Sequence, residues 1–173
     1  VGIMEQFKKD HPDFNITATF FVNGTLFNQP DYDKEILNWL VDNGYDVGNH
    51  TRNHANLLET TTSETQQEVG YVYNELDKII PGKYVNIVAL PYGTQYQLSH
   101  KNMKKVFDGT YKGKKYHTDC ALQVSWEPNE SPFSEDYIPN FYKRIRAYDN
   151  KGTNFDIQST FELLEVTKYI SDG

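Results

Sequence analysis

The chain has 173 residues, a length that suits one domain and buries about 70% of the unfolded surface without covalent staples. Its 14% aromatic content excludes a disordered polymer, and its net charge of −7 leaves little footprint for duplex nucleic acid. No apolar run approaches the ~18–20 residues of a membrane span, and the single Cys120 excludes an intrachain disulfide and the cysteine-rich zinc modules.

Residues 4–9 read as the tail of a helix, broken by His11-Pro12-Asp13. The β-branched and aromatic run 16–22 predicts a buried strand that Asn23-Gly24 ends. Over 33–42, Ile36, Leu37, Leu40 and Val41 share one helical face, with a C-terminal signal at Asn43-Gly44. A short strand follows over 45–48. The next helix, 63–80, carries Val69, Val72, Tyr73, Leu76, Ile79 and Ile80 on its apolar face, with Ser63 and Gln66 as its capping box. Residues 85–90 predict a third strand, 99–107 a weaker helix, 121–124 a fourth strand, 127–140 an ordered loop and 160–169 a last helix. Strands and helices in alternation predict a parallel α/β fold, in one domain without repeats or linkers.

Two segments stand at predicted C-terminal strand ends, where α/β folds gather their sites. In Gly48-Asn49-His50-Thr51-Arg52-Asn53-His54, a helical path would put both histidines on one face, about 5–6 Å apart at Cβ. That spacing lets two imidazoles reach one metal ion; zinc takes such ligands, with carboxylate and water completing an open site. Surface and capping histidines share the same spacing. Thr51 stands where the metalloprotease pattern needs a glutamate, which excludes that chemistry. In Ala89-Leu90-Pro91-Tyr92-Gly93, Pro91 fixes one dihedral and Gly93 permits an unusual one. Such a turn can aim a backbone N–H at an oxyanion, and it also reads as an ordinary strand-ending turn.

In their order and spacing, Ala18-Thr19-Phe20-Phe21-Val22, then Gly44-Tyr45-Asp46-Val47-Gly48-Asn49-His50-Thr51, then His54 and Leu90-Pro91-Tyr92-Gly93 resemble the polysaccharide deacetylases. These are carbohydrate esterase family 4, the NodB-homology domain. The resemblance implies an irregular (β/α) barrel, expected to lack its first strand here, in a single catalytic domain over 1–173 truncated at its N-terminus. It further implies a divalent metal, zinc by expectation, held by two histidines and an aspartate; by motif match the histidines are His50 and His54. Thr51 would hydrogen-bond within the loop and steady it. Tyr92 would donate its backbone N–H to the oxyanion, with Pro91 shaping the turn. The implied reaction is hydrolysis of N-acetyl or O-acetyl groups on an acetylated cell-wall or extracellular polysaccharide, in the extracellular space or bacterial envelope.

The sequence departs from the family pattern in several places. The Thr-Phe-Asp-Asp element is absent, and Asp10 and Asp13 read as helix-end and turn residues. The arginine two residues before the proline falls on Ala89; Arg144 and Arg146 read as a solvated basic patch. Trp126 is expected either to wall the acetyl pocket and contact substrate or to sit in the core. His100 and His117, the candidate replacement acids, read as exposed, and Cys120 as a buried core residue. These departures keep a second function open: a non-catalytic carbohydrate- or cell-wall-binding protein on the same fold.

Overall fold

The apolar runs become the strands of one parallel sheet. The structure, a computed structural model, describes residues 1–93, 95–125, 127–147 and 157–167. β1 (Thr19–Val22), β2 (Asp46–Asn49), β3 (Ile87–Ala89), β6 (Cys120–Ser125) and β7 (Phe141–Ile145) lie in the order β1-β2-β3-β6-β7, every neighbouring pair parallel. α2 (Asp33–Asp42) crosses from β1 to β2 and α3 (Thr62–Ile79) from β2 to β3. Strand follows strand across the sheet in chain order, as in a (β/α) barrel. Among the described residues the sheet stays open, with β1 and β7 as its edges.

One register row runs through every strand: Val22, Asn49, Val88, Ala121 and Phe141 are successive partners. All five are buried, and Asn49 is the one polar side chain among them. α3 joins the two halves of the core. Its Val69 and Tyr73 pack with Val88, Leu90, Ala121 and Phe141, while its Val72 and Leu76 pack with Val22, Leu37, Leu40 and Val47. The predicted apolar face of this helix is therefore the inner one. Its cap differs from expectation. Thr61 Oγ1 accepts the Glu64 N–H at 3.2 Å and Glu64 Oε2 accepts the Thr61 N–H at 2.7 Å, a capping box two residues before the expected one at Ser63. Both spacings satisfy the pattern, but only Glu64 also sets a negative charge in the first turn, against the positive end of the helix dipole.

Three strands went unread in the sequence. β4 (Asp108–Tyr111) and β5 (Lys114–His117) form an antiparallel hairpin after α4 (Met103–Phe107), turning through Lys112 at φ 48° and Gly113 at φ 81°. Two positive φ values make the mirror-image turn that fits strand twist; a lysine in place of the usual Asn or Asp hid it. β7 was hidden by its Lys and Arg content. α1 (Gly2–Asp10) precedes β1 and is tied to the body through Glu5, whose carboxylate accepts the Tyr45 hydroxyl, and Lys8, 4.3 Å from the Tyr45 ring centre. The last helix, α5 (Ile157–Thr167), begins three residues before the expected 160. Trp126 and the end of the predicted 160–169 helix lie outside the described residues. Cys120 is buried, which pushes its thiol up to about 11.

Thr61→Ala is expected to cost about 1 kcal/mol, whereas Ser63→Ala leaves stability nearly unchanged. Urea denaturation midpoints of the two variants separate the observed cap from the expected one.

Candidate functional site

The chain leaves β2 at Asn49 and turns at once. Asn49 Nδ2 donates to the Val69 carbonyl of α3 at 2.9 Å, and its Oδ1 accepts the Thr51 N–H at 2.9 Å. This bridge holds Thr51 at φ 65°, left-handed backbone that a β-branched residue rarely adopts. The segment 50–54 is therefore not helical. A loop takes its place and still brings the two histidines together: the His50 and His54 ring centres are 4.8 Å apart, edge to face at 73°. Thr51 steadies the loop through its N–H and not its hydroxyl, as Oγ1 is buried without a partner among the described residues.

The loop is further clamped to α3. Buried Glu68 accepts the Asn53 N–H at 2.8 Å and Asn53 Nδ2 at 2.6 Å, while the Glu68 carbonyl accepts the Arg52 N–H at 2.9 Å. On its other side, the Arg52 carbonyl accepts the Gly24 N–H at 2.8 Å, and a Cβ on Gly24 would sit 2.7 Å from that same oxygen. Only glycine lets the end of β1 approach the histidine loop this closely.

His50 Nδ1 lies 2.7 Å from the Ala89 carbonyl oxygen. A carbonyl only accepts, so Nδ1 carries the proton and Nε2 keeps its lone pair. Burial lowers the His50 pKa below the ordinary imidazole value, the Ala89 bond opposes that shift, and the nearby His54 and Arg144 reinforce it. His50 is thus held in one orientation with Nε2 turned away from its backbone partner. Two such imidazoles suit a divalent ion of the zinc type, whose bonds to nitrogen are about 2.0–2.1 Å. Among the described residues no group of three or more His, Cys, Asp or Glu completes a metal cage. The pair is the metal-compatible part of the site, and Ala89 serves it through its backbone.

The Leu90–Gly93 turn forms the adjoining wall. Pro91 is buried, and its carbonyl accepts the Tyr96 hydroxyl at 3.2 Å; that hydroxyl in turn accepts the Leu57 N–H at 3.2 Å. Tyr92 sits at φ 60° with its side chain exposed and its ring centre 5.0 Å from that of His54. No acceptor takes its N–H among the described residues. Behind the turn, β7 brings Arg144 in. Its Nη2 donates to the Leu90 carbonyl at 3.2 Å and its Nε is buried without a partner among the described residues. Arg146 Nη2 lies 3.8 Å from where a Cβ on Gly93 would be. The expected solvated patch is thus corrected for Arg144, which β7's register aims inward.

His117 stands apart from the site. It is paired with Asp108 at 2.8 Å and sits near Asp119, whose N–H bonds to Asn86 just ahead of β3, at the opposite end of the sheet from His50. His100 is half-buried, not exposed as expected, and its Nδ1 accepts the Asn102 N–H at the start of α4. Asn49, Asn53, Glu68 and Tyr96 escaped the sequence reading. Glu68 alone carried a signal, as a charge directly beside Val69 on the inner face of an amphipathic helix.

The family described as polysaccharide deacetylase matches residues 12–106, 95 of the 173. The chain is 34% identical over 77 residues to the peptidoglycan-N-acetylmuramic acid deacetylase PdaA of Bacillus subtilis (strain 168), covering 44% of this chain and 27% of that protein. It is 33% identical over 79 residues to the chitooligosaccharide deacetylase of Bradyrhizobium sp. (strain ANU 289), covering 45% and 34%. The matched stretches thus span about a third or less of those relatives. Among solved structures, Streptococcus pyogenes deacetylase PplD in complex with acetate has a TM-score of 0.57 at 15% identity, covering 86% of this chain and 60% of that one. Bacillus subtilis PdaA, a family 4 carbohydrate esterase, has 0.50 at 22%, covering 83% and 60%. These two likenesses carry the fold.

The His50 resonance is expected to titrate below about 6.5, and Arg144→Met to move it upward by removing a nearby positive charge. Because the folded chain takes up this proton later than the unfolded one, stability falls as pH drops from about 6.5 toward the lower folded value. Histidine NMR titration and denaturation across that window check both signs. More than half the chain lies within the family match, and the chain belongs to the polysaccharide deacetylase family.

Proposed function

We propose that this chain carries out metal-dependent hydrolysis of N-acetyl, or O-acetyl, groups on a cell-wall or extracellular polysaccharide, outside the cell or in its envelope. Family membership supports deacetylation. The relatives are named for peptidoglycan N-acetylmuramic acid and for chitooligosaccharides, which supports an acetylated aminosugar polymer as substrate. The observation that carries the metal reading is the His50–His54 pair, 4.8 Å between ring centres, with His50 held neutral against Ala89.

On this reading His50 and His54 hold the ion, zinc in the first instance. When bound, it supplies Lewis-acid polarisation of the acetyl carbonyl and a lowered pKa for the attacking water. The Ala89 carbonyl fixes the His50 ring and its tautomer, so the ligand needs no reorganisation. The free N–H of Tyr92 donates to the oxygen that gains charge as the carbonyl is attacked, and the Tyr96 bond to Pro91 keeps that donor in place. Thr51 holds the bend between the two ligands.

The second reading, a glycan-binding protein without catalysis, draws on Ala89 at the family's arginine position and on the missing third ligand among the described residues. Acetate release from N-acetylated chitooligosaccharides and from peptidoglycan, with zinc supplied, separates the two. Wild type is expected to release acetate, and His50→Ala and His54→Ala to lose about 10³-fold or more in rate. Variants with full activity overturn the metal reading. Glycan affinity that survives chelator, without acetate release, establishes the binding protein instead.

A further inference from the structure

A cavity of about 220 Å³ opens at the far end of the sheet from His50, between α3, the β4–β5 hairpin and the run into β3. Three tyrosine rings stand in series along it, Tyr84, Tyr73 and Tyr116, with neighbouring centres 5.8 and 5.6 Å apart and tilts of 34° and 35°. Two of them are fixed from behind. Thr118 Oγ1 donates to the Val106 carbonyl at 2.8 Å, so the Tyr73 hydroxyl donates to Thr118 at 3.0 Å. The Tyr116 hydroxyl donates to the Lys105 carbonyl. Two glycines admit the Tyr116 ring: a Cβ on Gly70 would sit 2.9 Å from its Cε1, and one on Gly109 would sit 2.3 Å from its hydroxyl oxygen. Gly70 lies inside α3, where glycine weakens the helix relative to alanine, yet only glycine leaves room for the ring.

The polar groups of the cavity include both donors and acceptors. Asn74 and Asp77 share the α3 face of Gly70 and Tyr73, and Asn86 stands just ahead of β3. The Asn86 side chain and Asn74 Oδ1 have no hydrogen-bond partner among the described residues. Asp77 accepts the Tyr84 hydroxyl at 3.3 Å and lies 3.4 Å from Lys114 Nζ, while His117 lies against Asp108 and Asp119. Of the cations lining the cavity, Lys115 alone lacks a carboxylate partner among the described residues.

We propose that this cavity holds one pyranose ring of a neutral glycan, at a site separate from the His50–His54 pair. The C–H faces of a sugar ring pack on fixed aromatic walls, and its hydroxyls donate to Asn74 and accept from Asn86 and Lys115. An apolar ligand would leave those groups unbonded, and a strongly charged one would find most charges there already paired. The volume falls below the roughly 300–1,000 Å³ that takes a drug-sized molecule, and suits a single ring. A polymer held here keeps its other residues close to the histidine pair by raising their effective concentration. That consequence, and the choice of an N-acetylated probe, rest on the deacetylase reading; the sugar pocket itself does not.

N-acetylated chitotetraose and cellotetraose, a glucose tetramer without acetyl groups, are titrated separately into the whole chain while assigned amide NMR signals are followed. Saturable shifts at Gly70, Asn74 and Asn86 with either glycan, with half-saturation weakened about tenfold in Tyr84→Ala and in Asn74→Ala, establish the pocket. Shifts with chitotetraose alone add the acetamido group to what it recognises. If the pocket signals stay still with both glycans, or shift equally in wild type and both variants, the proposal is overturned. Thr51 and Asn53 report on the histidine loop in the same spectra. Shifts confined to them overturn the pocket and leave the deacetylase reading standing. Asn74→Ala places a strong helix former within α3, so the test holds even if Tyr84→Ala does not fold.

Discussion

A buried asparagine at the end of β2 is the constraint on which the site depends. Asn49 stands in a row of otherwise apolar partners, Val22, Val88, Ala121 and Phe141, at the level where the sheet meets its loops. A polar side chain there is costly unless both halves of its amide are bonded. They are, one to the Val69 carbonyl of α3 and one to the Thr51 N–H. The sheet, the central helix and the histidine loop are thereby fixed to each other through one side chain. An apolar residue of the same size would pack, but would leave the loop without its bend.

The rest of the site is built from backbone held in unfavourable conformations. Thr51, His54 and Tyr92 have φ values of 65°, 55° and 60°. Each such residue costs about 1 kcal/mol or more and persists only where its surroundings over-determine it. Asn49 and Glu68 do this for the histidine loop, and Tyr96, reaching from Pro91 to Leu57, does it for the adjoining turn. The result is two ring nitrogens and a free N–H presented from loops that do not need to move. Ala89 fits this plan. A small residue at the end of β3 keeps its carbonyl on His50, while the cationic groups arrive from β7 instead.

The fold was legible because its signals are local. Short β-branched runs, the apolar face of α3 and the Asn43-Gly44 stop each act within a few residues, and they mark the alternation of strands and helices that gives a parallel α/β fold. The histidine pair and the Pro91-Tyr92-Gly93 turn were legible as motifs, although the path between the histidines was not: a helix and an Asn-bridged loop put i and i+4 side chains at similar separations. What stayed hidden is non-local. Arg144 reads as a surface residue until the register of β6 and β7, Val124 opposite Arg144, turns it toward Leu90. Glu68 and Asn53 lie fifteen residues apart and meet only because β2 delivers the loop onto α3.

The proposed metal site requires that this clamped loop present His50 and His54 to one ion. Elemental analysis of untagged protein after zinc loading and exhaustive dialysis tests it most directly, with wild type beside the His50→Ala/His54→Ala double variant. One zinc per chain is expected in wild type and none in the double variant, with both folded. Equal metal in the two proteins, or none in either after loading, would contradict it.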